Sequence, residues 1–207
     1  LQREKELVGI YISGHPLNNY KFEIDHFTTH SLVALEEQNL ALLGADIKLA
    51  GMISAVREAV SKNGKPYCIF ILEDFSGTRE FAMFGERYTE NKAWISLNAQ
   101  VFIAAKGDKS YRDPAMLDLN IQQMTFLEDT VSHQLKKVTI SLNADEVNEE
   151  LMEKIYDLID ERGKVGLAFK IRNKDKAVVA KSSRYKLQMD EITKKKMQDL
   201  NLEFRFN

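Results

Sequence analysis

Residues 49–77, LAGMISAVREAVSKNGKPYCIFILEDFSG, decide how the rest of the chain is read. Two alternating stretches flank a short polar, basic loop, Ser61 to Lys65, and a tight turn at Ser76-Gly77 closes the segment. Period-two patterning predicts a first strand with Ile47, Leu49, Gly51 and Ile53 on one side and Lys48, Ala50, Met52 and Ser54 on the other. Gly51, in mid-strand, marks the expected place of a bulge or sharp coil. The second strand sets Cys68, Phe70 and Leu72 inward and Tyr67, Ile69, Ile71 and Glu73 outward. A third, Arg79 to Phe84, points Phe81 and Met83 inward.

Working outward, a helical stretch from Glu86 to Trp94 and strands at 100–107 and 116–127 complete five strands with a helix between the third and fourth. That order is the five-stranded Greek-key barrel known as the OB-fold, which binds oligonucleotides or oligosaccharides through one sheet face and two loops. Before it, Leu7, Ile10 and Tyr11 share one face of a predicted helix over 1–12. Pro16 starts a turn, a short helix is expected from Tyr20 to His26, and Ser31 caps a third helix, Leu32 to about Leu43. The apolar side of this lead-in must pack on something.

Residues 128–137, EDTVSHQLKK, are polar and read as a linker. Beyond it the pattern is strand (138–142), a helix to Arg162 with Asn143 as its cap, strand (165–172), a turn at 173–176, strand (177–181), an extended stretch (185–189), a helix capped by Asp190, and a last strand (202–206). This β-α-β-β-α-β order predicts a small sheet with both helices on one face. The fold expected is therefore α+β and multidomain: a helical lead-in over 1–45, an OB-fold over 46–128, a linker over 129–137, and an α+β C-terminal domain for protein interaction over 138–207.

Composition narrows the function. The chain has 207 residues and a net charge of −2, so no global positive field draws it to nucleic acid and any such binding needs a local patch. One cysteine, Cys68, excludes an internal disulfide or a cysteine zinc site and reads as a small buried residue. No run of about 18 apolar residues and no signal peptide is visible, so a cytoplasmic setting without membrane contact is expected. The opening LQREKE lacks an initiator methionine and reads as the inside of a helix, as in a piece of a longer protein. His15, His26, His30 and His133 are scattered, there is no P-loop and no GxGxxG, and neither catalysis nor a cofactor or metal is expected.

Binding has more support. Lys62, Lys65, Lys109 and Arg112 lie in the two loops that flank an OB groove and would neutralise phosphates; Tyr67 and Tyr111 would stack on bases. Ile69 lies on the same outward face, and Lys48, Arg57, Arg79 and Lys106 would extend a basic track. The same lysines read equally well as solubilising hairpin tips, with Tyr67 packed under a loop.

The segment EKELVGIYISGHPL, Glu4 to Leu17, closely resembles the alpha subunit of bacterial DNA polymerase III, and GKPYCIFILEDFSG, Gly64 to Gly77, is similar to the second OB strand and turn of that family. The resemblance covers essentially the whole chain. It implies the C-terminal region of a DNA-directed DNA polymerase, a nucleotidyltransferase whose catalytic domains lie upstream. In DNA replication its OB-fold would bind single-stranded template and its last domain would dock the tau subunit of the clamp loader. Further partners implied are the remainder of the polymerase chain and the sliding clamp, the latter mainly through upstream residues. Gln122 to Phe126 looks faintly like a clamp motif but falls in a predicted strand, as does Leu202 to Phe206. Two other readings remain: an OB-fold used mainly for protein docking or structure, and an RNA-binding OB domain of a synthetase.

Overall fold

The computed structural model describes residues 15–110, 113–160, 162–174 and 176–207. The helix expected over 1–12 lies outside the described residues. The chain divides into two units, 1–130 and 131–207, and the division falls inside the polar stretch at 128–137. That stretch carries a 3-10 turn, Leu127–Asp129, and a short helix, α4, Thr130–Gln134.

In the first unit the strands are β1 (Asp46–Val60), β2 (Pro66–Glu73), β3 (Thr78–Phe84), β4 (Gln100–Lys109) and β5 (Leu117–Phe126). They form one antiparallel sheet in the order β3-β2-β1-β4-β5. β1 is long enough to pair with β4 through its first half and with β2 through its second. Helix α3, Gly85–Asn91, and a 3-10 turn, Lys92–Trp94, connect β3 to β4. This is the OB-fold topology, and its interior is the apolar face foreseen: Ile47, Leu49, Ile53, Cys68, Phe70, Leu72, Phe81 and Met83 are all buried.

Two local expectations differ. The irregularity in β1 falls at Ser54, between Ile53 and Ala55, rather than at Gly51. Gly51 has another reason to lack a side chain: a Cβ there would stand 2.7 Å from the Glu73 carbonyl oxygen and 2.7 Å from Leu72 Cγ. The outer side of the first half of β1 is also not solvated, since Ala50 and Met52 are buried.

Helices α1 (Lys21–Phe27) and α2 (Leu32–Gln38), with 3-10 turns at Pro16–Tyr20 and Asn39–Leu42, precede the barrel. Leu32, Leu35 and Leu42 join the barrel's own apolar cluster, so this segment plugs one of its ends. The third helix is shorter than its pattern implied, because Asn39 takes φ +37° and turns the chain. The β2–β3 turn holds α2 in place. Asp74 Oδ2 accepts from the Leu32 N–H at 2.8 Å, while Oδ1 accepts from Ser76 N–H (2.7 Å), Ser76 Oγ (2.6 Å) and Gly77 N–H (2.9 Å). Ser31 adds the expected cap, accepting from Ala34 N–H at 3.3 Å. At the other end of the plug, a Cβ on Gly107 would sit 2.0 Å from the Leu42 carbonyl oxygen, so only glycine lets that backbone cross β4.

The second unit has β6 (Lys137–Asn143), α5 (Glu149–Tyr156), β7 (Val165–Asn173), β8 (Lys176–Leu187), α6 (Glu191–Asp199) and β9 (Glu203–Phe206), in sheet order β8-β7-β6-β9. β6 and β7 run parallel through the α5 crossover; the other pairs are antiparallel. Lys196 Nζ of α6 donates to the Asp157 carbonyl just past α5 at 3.1 Å, which sets the two helices side by side. Asp190 caps α6 as expected, accepting from Thr193 N–H at 2.8 Å. The cap of α5 is Asn148 and not Asn143: Asn148 Oδ1 accepts from Leu151 N–H at 2.8 Å, and a 3-10 turn, Ala144–Glu146, precedes it. The helix also stops at Tyr156, well short of Arg162. β8 is one strand rather than two pieces, the break being absorbed as a wide irregularity opposite Gly166 and Ala168. Gln123–Phe126 is paired with β4, with Gln122 at the bulge in that ladder, and Glu203–Phe206 is paired with β6.

Candidate nucleic-acid interface

The tight β2–β3 turn makes residues equidistant from it into neighbours: Tyr67 faces Phe84, Ile69 faces Ala82, and Ile71 faces Glu80. On the other side of β2, β1 supplies Ala59, Arg57 and Ala55 to the same three rows. These residues alternate with the buried ones, so they stand on the outer face of the barrel. Tyr67 and Phe84 stack with ring centroids 5.4 Å apart and planes 22° apart, and Phe84 is 56% exposed. An aromatic pair on a sheet with one ring exposed is a surface on which an unpaired base can lie, because every base presents a π-face.

The β1–β2 loop rises beside this pair. Ser61 closes it, its N–H donating to the Lys65 carbonyl at 2.8 Å and its Oγ accepting from Lys65 N–H at 3.1 Å. Gly64 completes the turn at φ +73°. Lys62 and Lys65 are left exposed on the loop, next in chain to the Tyr67 row, and Arg57 lies one row further along.

The other side of the face is the seam between β3 and β5, the two edges of the sheet. A cleft of about 390 Å³ there is lined by Phe84, Arg87, Asp108, Lys109, Asp118 and Asn120 among others. A second, about 670 Å³, shares Ala82, Phe84 and Asp118 with it and reaches Glu36, Arg79, Glu80 and Met116. Arg87 donates to the Asn120 side-chain oxygen across the seam. Arg79 is half-buried and its Nη2 donates to the Leu117 carbonyl at 2.7 Å; burial lowers its pKa from the ordinary arginine value. The seam thus mixes cations with Glu36, Glu80, Asp108 and Asp118, whereas Arg57, Lys62 and Lys65 lie on the opposite flank of the aromatic pair.

Among the residues singled out from the sequence, Arg57, Lys62, Lys65, Tyr67 and Ile69 come together around one face. Lys109 stands apart in the seam, and Arg79 bridges it. Lys48 and Lys106 belong to the β1–β4 ladder, paired with Ala104 and Asp46, and have no register neighbour on β2. The Lys48 backbone is tied instead to Thr29, whose N–H donates to its carbonyl at 2.9 Å. Tyr111 and Arg112 lie outside the described residues. Phe84 and Arg87 were not singled out, although the hairpin register alone pairs Phe84 with Tyr67.

Chemistry of other kinds has little footing. Among the described residues no three or more His, Cys, Asp or Glu side chains are placed to hold a metal ion. Helix α1 ends at Phe27, so His26 and His30 do not share a helix face, and burial lowers the His26 pKa. Cys68 is fully buried, which pushes its thiol up from 9.0 to about 11. No helix among the described residues is long and apolar enough to cross a membrane.

No protein-family model matches the chain. In sequence it is similar to DNA polymerase III alpha subunits: that of Buchnera aphidicola at 25% identity over 171 residues, 79% of this chain and 14% of the relative. That of Haemophilus influenzae is 27% identical over 161 residues, 77% of this chain and 14% of the relative. A Mycobacterium tuberculosis counterpart is 31% identical over 106 residues, 51% of this chain and 9% of the relative. The chain therefore spans about 14% of the length of the first of these relatives, and the match lies in their C-terminal part. Among solved structures, the second OB-fold domain of replication protein A from Methanococcus maripaludis superposes with a TM-score of 0.30 and 12% identity, covering 42% of this chain and 87% of that one. Asparaginyl-tRNA synthetase from Pyrococcus horikoshii gives 0.35 and 16%, covering 47% and 22%.

Proposed function

We propose that this chain is a non-catalytic binding region of a bacterial replicative polymerase, the DNA polymerase III alpha subunit, serving DNA replication. In this reading the barrel holds single-stranded template DNA and the second unit docks the tau subunit of the clamp loader. No catalysis and no cofactor are assigned to these residues. The observation that carries the DNA half is the Tyr67–Phe84 stack, half-buried at Tyr67 and exposed at Phe84, flanked by Arg57, Lys62 and Lys65, in a chain similar to that polymerase subunit.

Bases would stack on Tyr67 and Phe84, with Ile69 and Ala82 as apolar floor, and phosphates would follow the loop lysines. Because the seam is partly acidic, the backbone would run on the β1–β2 side, with base edges toward Arg87 and Asn120. Fluorescence anisotropy with labelled oligonucleotides tests this. Weak, salt-sensitive binding that Lys65→Ala and Tyr67→Ala reduce is expected; no binding at low salt overturns it. A pull-down with purified tau subunit tests the docking half.

A second reading uses the barrel as a protein-docking module. Outward Ile69 and Ile71 and the acidic seam favour it, since apolar strand positions and carboxylates suit a protein more than a phosphate chain. Tau capture with no detectable DNA binding by the barrel would support it. Preference for structured RNA over single-stranded DNA would instead favour a synthetase-like domain.

A further inference from the structure

The sheet of the second unit has two faces of opposite chemistry, and strand register separates them. On one side lie Val138, Ile140, Leu142, Val165, Leu167, Phe169, Ile171, Leu187, Phe204 and Phe206, with one cation, Lys176, at the β7–β8 turn, and most of the apolar residues are buried with Ile155 of α5 and Met197 of α6. This is the face the helices cover.

The face away from α5 and α6 alternates with it. In register it carries Lys137 on β6, Lys170 and Arg172 on β7, Lys181 and Lys186 on β8, and Arg205 on β9, against one acid, Glu203. Its centre is small and largely buried: Thr139 and Ala168 are buried, and Ser141 and Gly166 are half-buried, so the cations form its rim. Glu203 Oε2 lies 3.3 Å from Arg172 Nη2 in an exposed pair, which is worth little and readily exchanges partners. Six cations on one face, Arg172, Lys181, Lys186 and Arg205 exposed and Lys137 and Lys170 half-buried, are out of proportion for a chain whose net charge is −2. Lysines on β8 alone would be ordinary protection of a sheet edge. Lys170 and Arg172 sit on an interior strand, where edge protection does not apply.

We propose that this face binds the phosphate backbone of nucleic acid, duplex as well as single-stranded, without reading sequence. The charge calls for a polyanion. The face offers a protein little to grip: apart from Val179, its apolar residues are small, and protein interfaces draw their affinity from large aromatic or aliphatic anchors. Nor does it carry an aromatic ring for base stacking, so its contacts would be to phosphate. Its function is independent of the Tyr67–Phe84 face and does not rest on that reading.

The test uses the full 207-residue chain and labelled 20-base-pair duplex. One variant combines Lys170→Gln, Arg172→Gln and Lys181→Gln; a second replaces the lysines by arginine (Lys170→Arg, Lys181→Arg); a third is Tyr67→Ala with Phe84→Ala. Duplex affinity at 50 mM salt should fall at least tenfold in the glutamine variant, and the slope of log affinity against log salt should flatten by about 0.9 per lost phosphate contact. The arginine variant and the aromatic double variant should keep duplex binding. An unchanged slope in the glutamine variant, with an unchanged thermal midpoint, overturns the proposal. So does displacement of the duplex by polyglutamate at equal charge concentration, which would assign the face to an acidic protein.

Discussion

Arg79 Nη2 donates to the carbonyl oxygen of Leu117 at 2.7 Å, joining β3 to β5 where the barrel's two sheet edges meet without a backbone ladder. The guanidinium is half-buried to do so, and its fixed fork suits a single well-aimed bond across a gap. Arg79→Ala should lower stability by about 1–2 kcal/mol, measured by urea unfolding. Arg79→Lys should recover only part of it. An unchanged midpoint would mean the seam is closed by packing alone.

Asp74 is the clip between the β2–β3 turn and the plug helix. Asp74→Ala removes acceptors for Leu32, Ser76 and Gly77 N–H groups together, and should cost about 2–3 kcal/mol. Asp74→Asn should cost less, because one oxygen remains to accept. Equal losses for the two substitutions would show that charge, not geometry, carries the effect.

Tyr67 and Phe84 stack on each other as well as facing outward, so their substitutions should not add. Each single alanine change is expected to weaken single-stranded DNA binding roughly 5- to 150-fold, equivalent to ~1–3 kcal/mol per stacked base. The double variant should lose less than the product. Multiplicative losses in an anisotropy titration would argue that the two rings hold separate bases.

Cys68, raised to about 11, makes a pH prediction. An acid whose folded pKa lies above its unfolded value of 9.0 binds more protons when folded, so its stabilising effect is complete below pH 9 and is lost as pH rises toward 11. Stability should therefore decline over that window, and Cys68→Ala should flatten the decline. At pH 8 only about one thiol in a thousand is ionised, so labelling by a disulfide reagent should follow the opening of the barrel. Fast labelling of the native chain would contradict the burial.

The barrel was legible because its signals are local. Alternation across Tyr67 to Leu72, the basic loop at Ser61 to Lys65 and the helix after Phe84 all survive as read. Where backbone crosses backbone, residue type alone was ambiguous: Gly51 signals either a bulge or a close approach, and the bulge sits at Ser54, which looks like any outward serine. Caps behave likewise, since Asn143 and Asn148 are equally good acceptors and only the 3-10 turn between them decides. The candidate surfaces needed register. Phe84 becomes notable once it lies opposite Tyr67, and Lys137, Lys170, Lys181 and Arg205 become one patch only when four strands are laid side by side. Arg79, read as a phosphate ligand, gave no sign in sequence that a carbonyl 38 residues away would occupy its Nη2.

The plug carries a cost in time. Leu32, Leu35 and Leu42 are made before any strand of the barrel they close, and β5, the last wall of that barrel, is complete only at Phe126. At ribosomal rates of about 5–20 residues per second, the leucines wait roughly 4–19 s for the barrel they close. In that interval the plug helix is an apolar surface without its barrel, the kind of segment that a chaperone sheltering short apolar helices would bind.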